Sequence, residues 1–239
     1  MGALHLAAFL AAPAALGVGP DKGRLHFSRP APAPDGGVGL DASRVGEARA
    51  VVPPLLRYGT FRPEVGRWVE FDVVQPSGET HVERLALVGV TETQRGPLYQ
   101  LEIDVAIQPH VQVVMWIVGG AAPELDRLAV SLNHGEAVSV PVDLPLDHPA
   151  LRGATAGSAP GPAATGPFAG PTRVETYEEP APVGKVVVRR NAAVPLLGLH
   201  ALQHERTRWA ARATGLGAAP GLRSVPLNIP RTAGGSTER

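Results

Sequence analysis

The sequence predicts a mainly β fold built on an antiparallel sheet, and three observations lead to it. The first is a run in which Tyr99, Leu101, Ile103, Val105 and Ile107 alternate with Gln100, Glu102 and Asp104. A period of two lines up one face of a strand and would scatter the same residues around a helix. The second is a hairpin signature: Leu128, Val130 and Leu132, then Asn133-His134-Gly135-Glu136, then Val138, Val140 and Val142. Two alternating runs joined by a short glycine-containing loop pair antiparallel. The third is the recurrence of strand-like runs about every 8–12 residues with turn residues between them, which excludes βαβ units.

Taken in order, residues 1–19 read as a signal peptide. Leu4–Leu16 is an apolar stretch of the right length, followed by small residues, although the region before it has no Lys or Arg. Residues 20–56 contain Pro-Ala-Pro-Ala-Pro and Gly-Gly and are expected to be disordered or loosely ordered. The first part of the β domain is expected over 57–148. Val69, Phe71 and Val73 alternate with Glu70 and Asp72, and Pro76-Ser77-Gly78 supplies a turn. The run from His81 to Thr91 follows, and Gln94-Arg95-Gly96-Pro97 turns the chain into the Tyr99 strand. Val111–Val118 is β-branched and apolar on both faces, as a central strand would be. Pro123-Glu124-Leu125 reads as the start of a short helical turn.

Residues 149–171 are almost wholly Ala, Gly, Pro, Ser and Thr and read as a linker or an inserted loop. The β domain resumes over 172–222, with short strands at Arg173–Tyr177 and Lys185–Arg190, and 223–239 is expected to be a disordered tail. Within 195–214 the residues leave strand or helix open, since Ala, Leu, Gln, Glu and Arg favour a helix from Ala201 onward.

Composition narrows the function. With 22 basic and 22 acidic side chains there is no positive excess to neutralise phosphates, so nucleic acid is not an expected partner. The absence of cysteine excludes disulfides, thiolate metal sites and a cysteine nucleophile. No apolar run reaches the roughly 18 residues of a spanning helix.

No catalytic residue, metal ligand or cofactor site is assigned. His200 and His204 have a zinc-like spacing, but Ala201 stands where a zincin carries its glutamate. On a strand the two rings would be about 13 Å apart. Gly215-Leu216-Gly217 opens like a dinucleotide loop and then meets Pro220 instead of a helix. Glu70/Asp72 and Glu102/Asp104 have the strand spacing of paired catalytic carboxylates, with the polar side of a one-sided, solvated sheet as the much stronger reading. Trp68, Phe71, Tyr99 and Trp116 are the candidates for an apolar groove on a concave sheet face, with an ordinary core as the plainer reading.

Three stretches resemble uncharacterised bacterial secreted proteins related to the periplasmic lipoprotein carriers. Val65-Gly66-Arg67-Trp68-Val69-Glu70-Phe71 is similar to their opening strand. Leu87-Val88-Gly89 with Gly96-Pro97-Leu98-Tyr99-Gln100-Leu101-Glu102 is similar to the next hairpin, with Gln100 where the pattern often has Trp. Ala193-Val194-Pro195-Leu196-Leu197-Gly198-Leu199 is similar to a late strand, which favours strand over helix through about Glu205. The resemblance implies a half-open β-barrel able to hold acyl chains and a periplasmic or secreted location, although amphipathic lid helices are few.

These readings leave three functions in ranked order. The first is a non-enzymatic envelope protein binding a lipid, a lipoprotein or another apolar ligand. The second is an envelope structural or interaction protein whose sheet edge pairs with a partner protein. The third is a hydrolase using strand carboxylates with opposed pKa shifts. Inward aromatics around a void would favour a ligand; a filled core would favour a partner.

Overall fold

The structure is a computed structural model that describes residues 42–222 and 226–228; the expected signal peptide at 1–19, residues 20–41 and most of the tail lie outside these. The chain divides into two units at Val51/Val52. In the first, the described residues form one helix, α1 (Ala42–Val51). The second begins with a five-residue helix, α2 (Pro54–Tyr58). Helix therefore occupies part of the 20–56 stretch that composition marks as loosely ordered. In α2, Pro53 and Pro54 preset the entry and the Gly59 N–H closes the turn on the Leu55 carbonyl.

The described residues form twelve strands in one sheet, mostly antiparallel and curled without closing. They are β1 (Trp68–Val74), β2 (Thr80–Thr93), β3 (Gly96–Val105), β4 (Val111–Val118), β5 (Glu124–Leu132) and β6 (Val138–Pro145). The second series is β7 (Ala154–Ala164), β8 (Gly170–Glu179), β9 (Gly184–Arg190), β10 (Leu199–His204), β11 (Thr207–Gly215) and β12 (Leu227–Asn228). Their spatial order is β12-β6-β5-β4-β3-β2-β1-β11-β10-β9-β8-β7. Two meanders thus meet where β1 pairs with β11. The short β12 lies parallel to Val138–Ser139.

The alternation read from the sequence sets the faces. Val69, Leu85, Ile103, Val113 and Val130 form one cross-strand row on the inner face. Trp68, Ala86, Glu102, Val114, Ala129 and Ser139 form the adjacent row on the outer face. The largest fully buried side chains include Phe71, Leu85, Leu101, Met115 and Ile117 of the inner face, and Leu55, Leu56 and Tyr58 of α2.

Two expectations are corrected and one open choice is resolved. The helical turn expected at Pro123-Glu124-Leu125 is the start of β5, with Glu124 and Leu125 paired to Pro145 and Leu144. The strand favoured over helix through about Glu205 is β10, and the residues beyond it, left open between strand and helix, are β11, which forms a hairpin with β10. The linker or inserted loop expected at 149–171 holds two 3₁₀ turns and β7, which pairs with β8 over most of its length. Composition does govern what β7 buries: its side chains are nearly all exposed. Its backbone is ordered mainly by the ladder to β8, with Thr172 Oγ1 also donating to the Pro162 carbonyl at 2.7 Å, and Pro160 and Pro162 are tolerated because β7 is the sheet's edge.

Candidate functional site

Two places on the second unit gather polar side chains that the core does not require. The first is on the inner face over β8–β10. Arg57, the fourth residue of α2, is 3% exposed and donates from Nη1 to both oxygens of Glu179 at 3.0 and 3.2 Å. Its Nη2 lies 2.8 Å from His204 Nε2, and the Tyr58 hydroxyl donates to Glu179 in a short hydrogen bond. Arg152 clamps the end of α2, donating from Nε to the Arg57 carbonyl at 2.6 Å and from Nη2 to the Gly59 carbonyl at 3.1 Å. Gly59 is required here, because a Cβ would come within 2.7 Å of the Leu55 carbonyl and 2.8 Å of Leu197.

Burial alone would raise the Glu179 carboxyl. The contacts with His204 and Tyr58 and the Arg57 charge outweigh it and hold it at about 2. Four residues earlier on the same face, Glu175 accepts from Arg190 Nε at 2.6 Å and from the Tyr177 hydroxyl at 2.8 Å. Its burial is likewise outweighed, by the Arg190 and Tyr177 hydrogen bonds, and its carboxyl is also lowered. Both acids are therefore held ionised, whereas acid–base catalysis by a carboxylate pair needs shifts of opposite sign.

The second place is the outer face. Glu102 is 4% exposed and accepts from Gln100 Nε2 at 2.8 Å, Gln112 Nε2 at 3.0 Å and the Gly221 N–H at 2.8 Å. The sequence offered Glu102 as a solvated or paired carboxylate. It is buried because the chain beyond β11 crosses over it, something strand alternation does not reveal. Its expected mate Asp104 bonds His110 Nε2 at 2.9 Å instead. Glu70 and Asp72 are engaged by Arg212.

The four aromatic candidates separate. Trp68 and Trp116 are on the outer face, stacked under Arg84 and Arg127 at 4.6 and 4.7 Å. Phe71 is fully buried on the inner face. Tyr99 has the inner parity of Leu101 and meets the Phe61 ring edge-on at 5.7 Å. No single groove is lined by all four. His204 joins the inner cluster, while His200 sits at a β-bulge against the Phe168 ring and is lowered by burial and Arg189. The described residues hold no cluster of three or more His, Asp or Glu side chains placed to bind a metal.

Two clefts, of about 320 and 230 Å³, flank the Gly59–Glu64 segment. Charged Arg62, Glu64 and Arg67 line the larger; Leu56, Phe61, Pro123 and Leu146 contribute to the smaller, with Arg152 on its wall. They lie at and below the lower end of the usual range for small-molecule sites, about 300 Å³. No helix among the described residues is long and apolar enough to cross a membrane. No protein-family model matches the chain, and no curated protein matches it.

Proposed function

We propose that this is a non-catalytic interaction protein of the bacterial cell envelope that pairs its free sheet edge with an extended segment of a partner protein. One observation carries the reading: the inner face of the curled sheet, where an apolar ligand would lie, is filled by the chain's own side chains. Leu55, Leu56, Tyr58 and Phe168 are each no more than 2% exposed. Among the described residues no strand pairs with the outer edge of β7. Its proline-free stretch from Ala154 to Ala159 matches the length of a typical strand and carries only small side chains. The envelope location is part of the same proposal and rests on the Leu4–Leu16 stretch.

A second reading, an apolar ligand held against the inner face, is favoured by α2. This cover is a helix of only five residues, and it brings a buried ion pair, which sets position more than it adds stability. Native mass spectrometry of the protein from its own cell envelope, with organic extraction, separates the two. A protein-sized adduct, lost when Ala156 and Ser158 are replaced by Lys, is the expected result. A lipid-sized adduct that survives those substitutions overturns edge pairing in favour of the ligand. The same spectrum reads the N-terminus, and an intact Met1 would remove the export argument.

A further inference from the structure

The described residues beyond β11 follow one row of the outer face. Gly215 is paired with Trp68, and the Trp68 indole donates to the Leu216 carbonyl at 3.2 Å. The Ala218 N–H then bonds the Gly66 carbonyl at 2.9 Å, and the Gly221 N–H reaches Glu102, two strands from Trp68. Leu222 packs on Val114, Ala129 and Ala137, with Trp116 beside it. The Leu227 N–H bonds the Ala137 carbonyl at 2.9 Å, and β12 adds two residues beside Ser139, at the far end of the row.

The groove beneath this segment has the parts of a peptide site. Small side chains, Ala86, Val114, Ala129 and Ser139, make its floor, and Trp116 stacked under Arg127 makes one wall. Among the described residues Glu102 forms no ion pair; its bonds come from Gln100, Gln112 and a backbone N–H. A buried carboxylate satisfied in this way gives register more than stability, because an apolar residue would cover the same floor at lower desolvation cost. Room at the crossing point is tight: a Cβ on Gly221 would lie 2.5 Å from Gln112 Nε2 and 3.1 Å from Glu102 Oε2. The site therefore reads backbone at one position and a leucine-sized side chain at the next.

We propose that the outer groove is a recognition site for an extended peptide bearing a Gly-Leu pair, and that the C-terminal segment of the chain occupies it in cis as a built-in competitor. The occupant it fits is a partner segment with the chemistry of residues 216–222, small residues and then Gly and Leu, followed by two residues that add parallel to β6 as 227–228 do. A tethered segment acts at a millimolar-scale effective concentration, so the cis segment sets the affinity a partner must exceed. This site is on the opposite face from α2 and does not rest on edge pairing at β7.

The test uses the full chain carrying Gly221→Val with Leu222→Asp, which evicts the segment, and a fluorescein-labelled synthetic peptide of residues 216–228. Fluorescence anisotropy is expected to show saturable binding about tenfold or more tighter than to the unaltered chain, and none for a peptide carrying the same two changes. Equal binding of both peptides, or no binding to an altered chain that keeps its β-type circular dichroism, overturns the proposal. Should the altered chain fail to fold, amide hydrogen exchange on the unaltered protein decides. The Gly221 and Leu227 amides exchanging well before the Leu101 amide supports a displaceable segment. Exchange of all three only on global unfolding overturns it.

Discussion

On the inner face the row Val73–Trp209–Leu202–Val188–Glu175 passes from apolar side chains into a buried charged cluster covered by α2. On the outer face the row Trp68–Ala86–Glu102–Val114–Ala129–Ser139 is mostly small side chains around one buried carboxylate, covered by a backbone segment. Each covering element arrives from outside the two meanders and each meets a glutamate. The difference lies in what satisfies that glutamate. Among the described residues, Glu179 is met by a full guanidinium charge and Glu102 by neutral N–H donors. A charge pair sealed from water is costly to break from one side, whereas neutral donors exchange with water at little net cost. The inner cover is therefore the more tightly held of the two.

The largest effect should come from breaking that inner pair on one side. Glu179→Ala leaves the Arg57 guanidinium buried with no carboxylate and is expected to cost about 3–5 kcal/mol in urea unfolding. Arg57→Met combined with Glu179→Leu should recover most of the loss, since the desolvation penalty disappears with both charges. If the double variant is no more stable than the single one, the pair is not what holds α2.

Acidification should discharge the same pair gradually. The folded-state carboxyl of Glu179 is lowered from 4.5 to about 2. Its contribution to stability is thus fully present above the unfolded-state value and drains as pH falls from about 4.5 through about 2. On the order of 3 kcal/mol is at stake. Comparing the unfolding free energies of the native chain and Glu179→Gln between pH 2 and 6 isolates the term, because Gln cannot titrate. A difference that stays constant over that range would contradict the depressed carboxyl. Glu175, lowered in the same direction, titrates in both chains and cancels in the comparison.

Strand identity was legible wherever alternation ran long. The Tyr99 run became β3 and the Asn133–Glu136 loop joined β5 to β6, because a period of two is decided locally. The covering elements were not legible. Nothing in Pro54–Tyr58 or in Gly217–Leu222 specifies which sheet face each will meet; that is settled by strands more than a hundred residues away, such as Glu179 against Arg57 and Glu102 against Gly221. Trp68 and Trp116 were recognisable as groove candidates by type, yet their even register placed them on the face opposite Phe71 and Tyr99. β7 was hidden for another reason. Ala, Gly and Pro carry little strand preference, and an edge ladder needs only backbone.

The smallest effect is expected at that edge, where it separates ordering from burial. Ala159 pairs with Val174 but is exposed, so Ala159→Lys removes no buried area and adds a charge that reaches water. Folding stability should move by no more than about 0.5 kcal/mol in urea unfolding. Val188 of β9 is fully buried, and truncating it to Ala creates a cavity whose cost is several times larger. If Ala159→Lys cost as much as Val188→Ala, β7 would be packed against something beyond β8, and its free edge would not be available to a partner strand. A near-silent substitution instead leaves the edge as a row of backbone groups that the fold does not use, which is the condition pairing in trans requires.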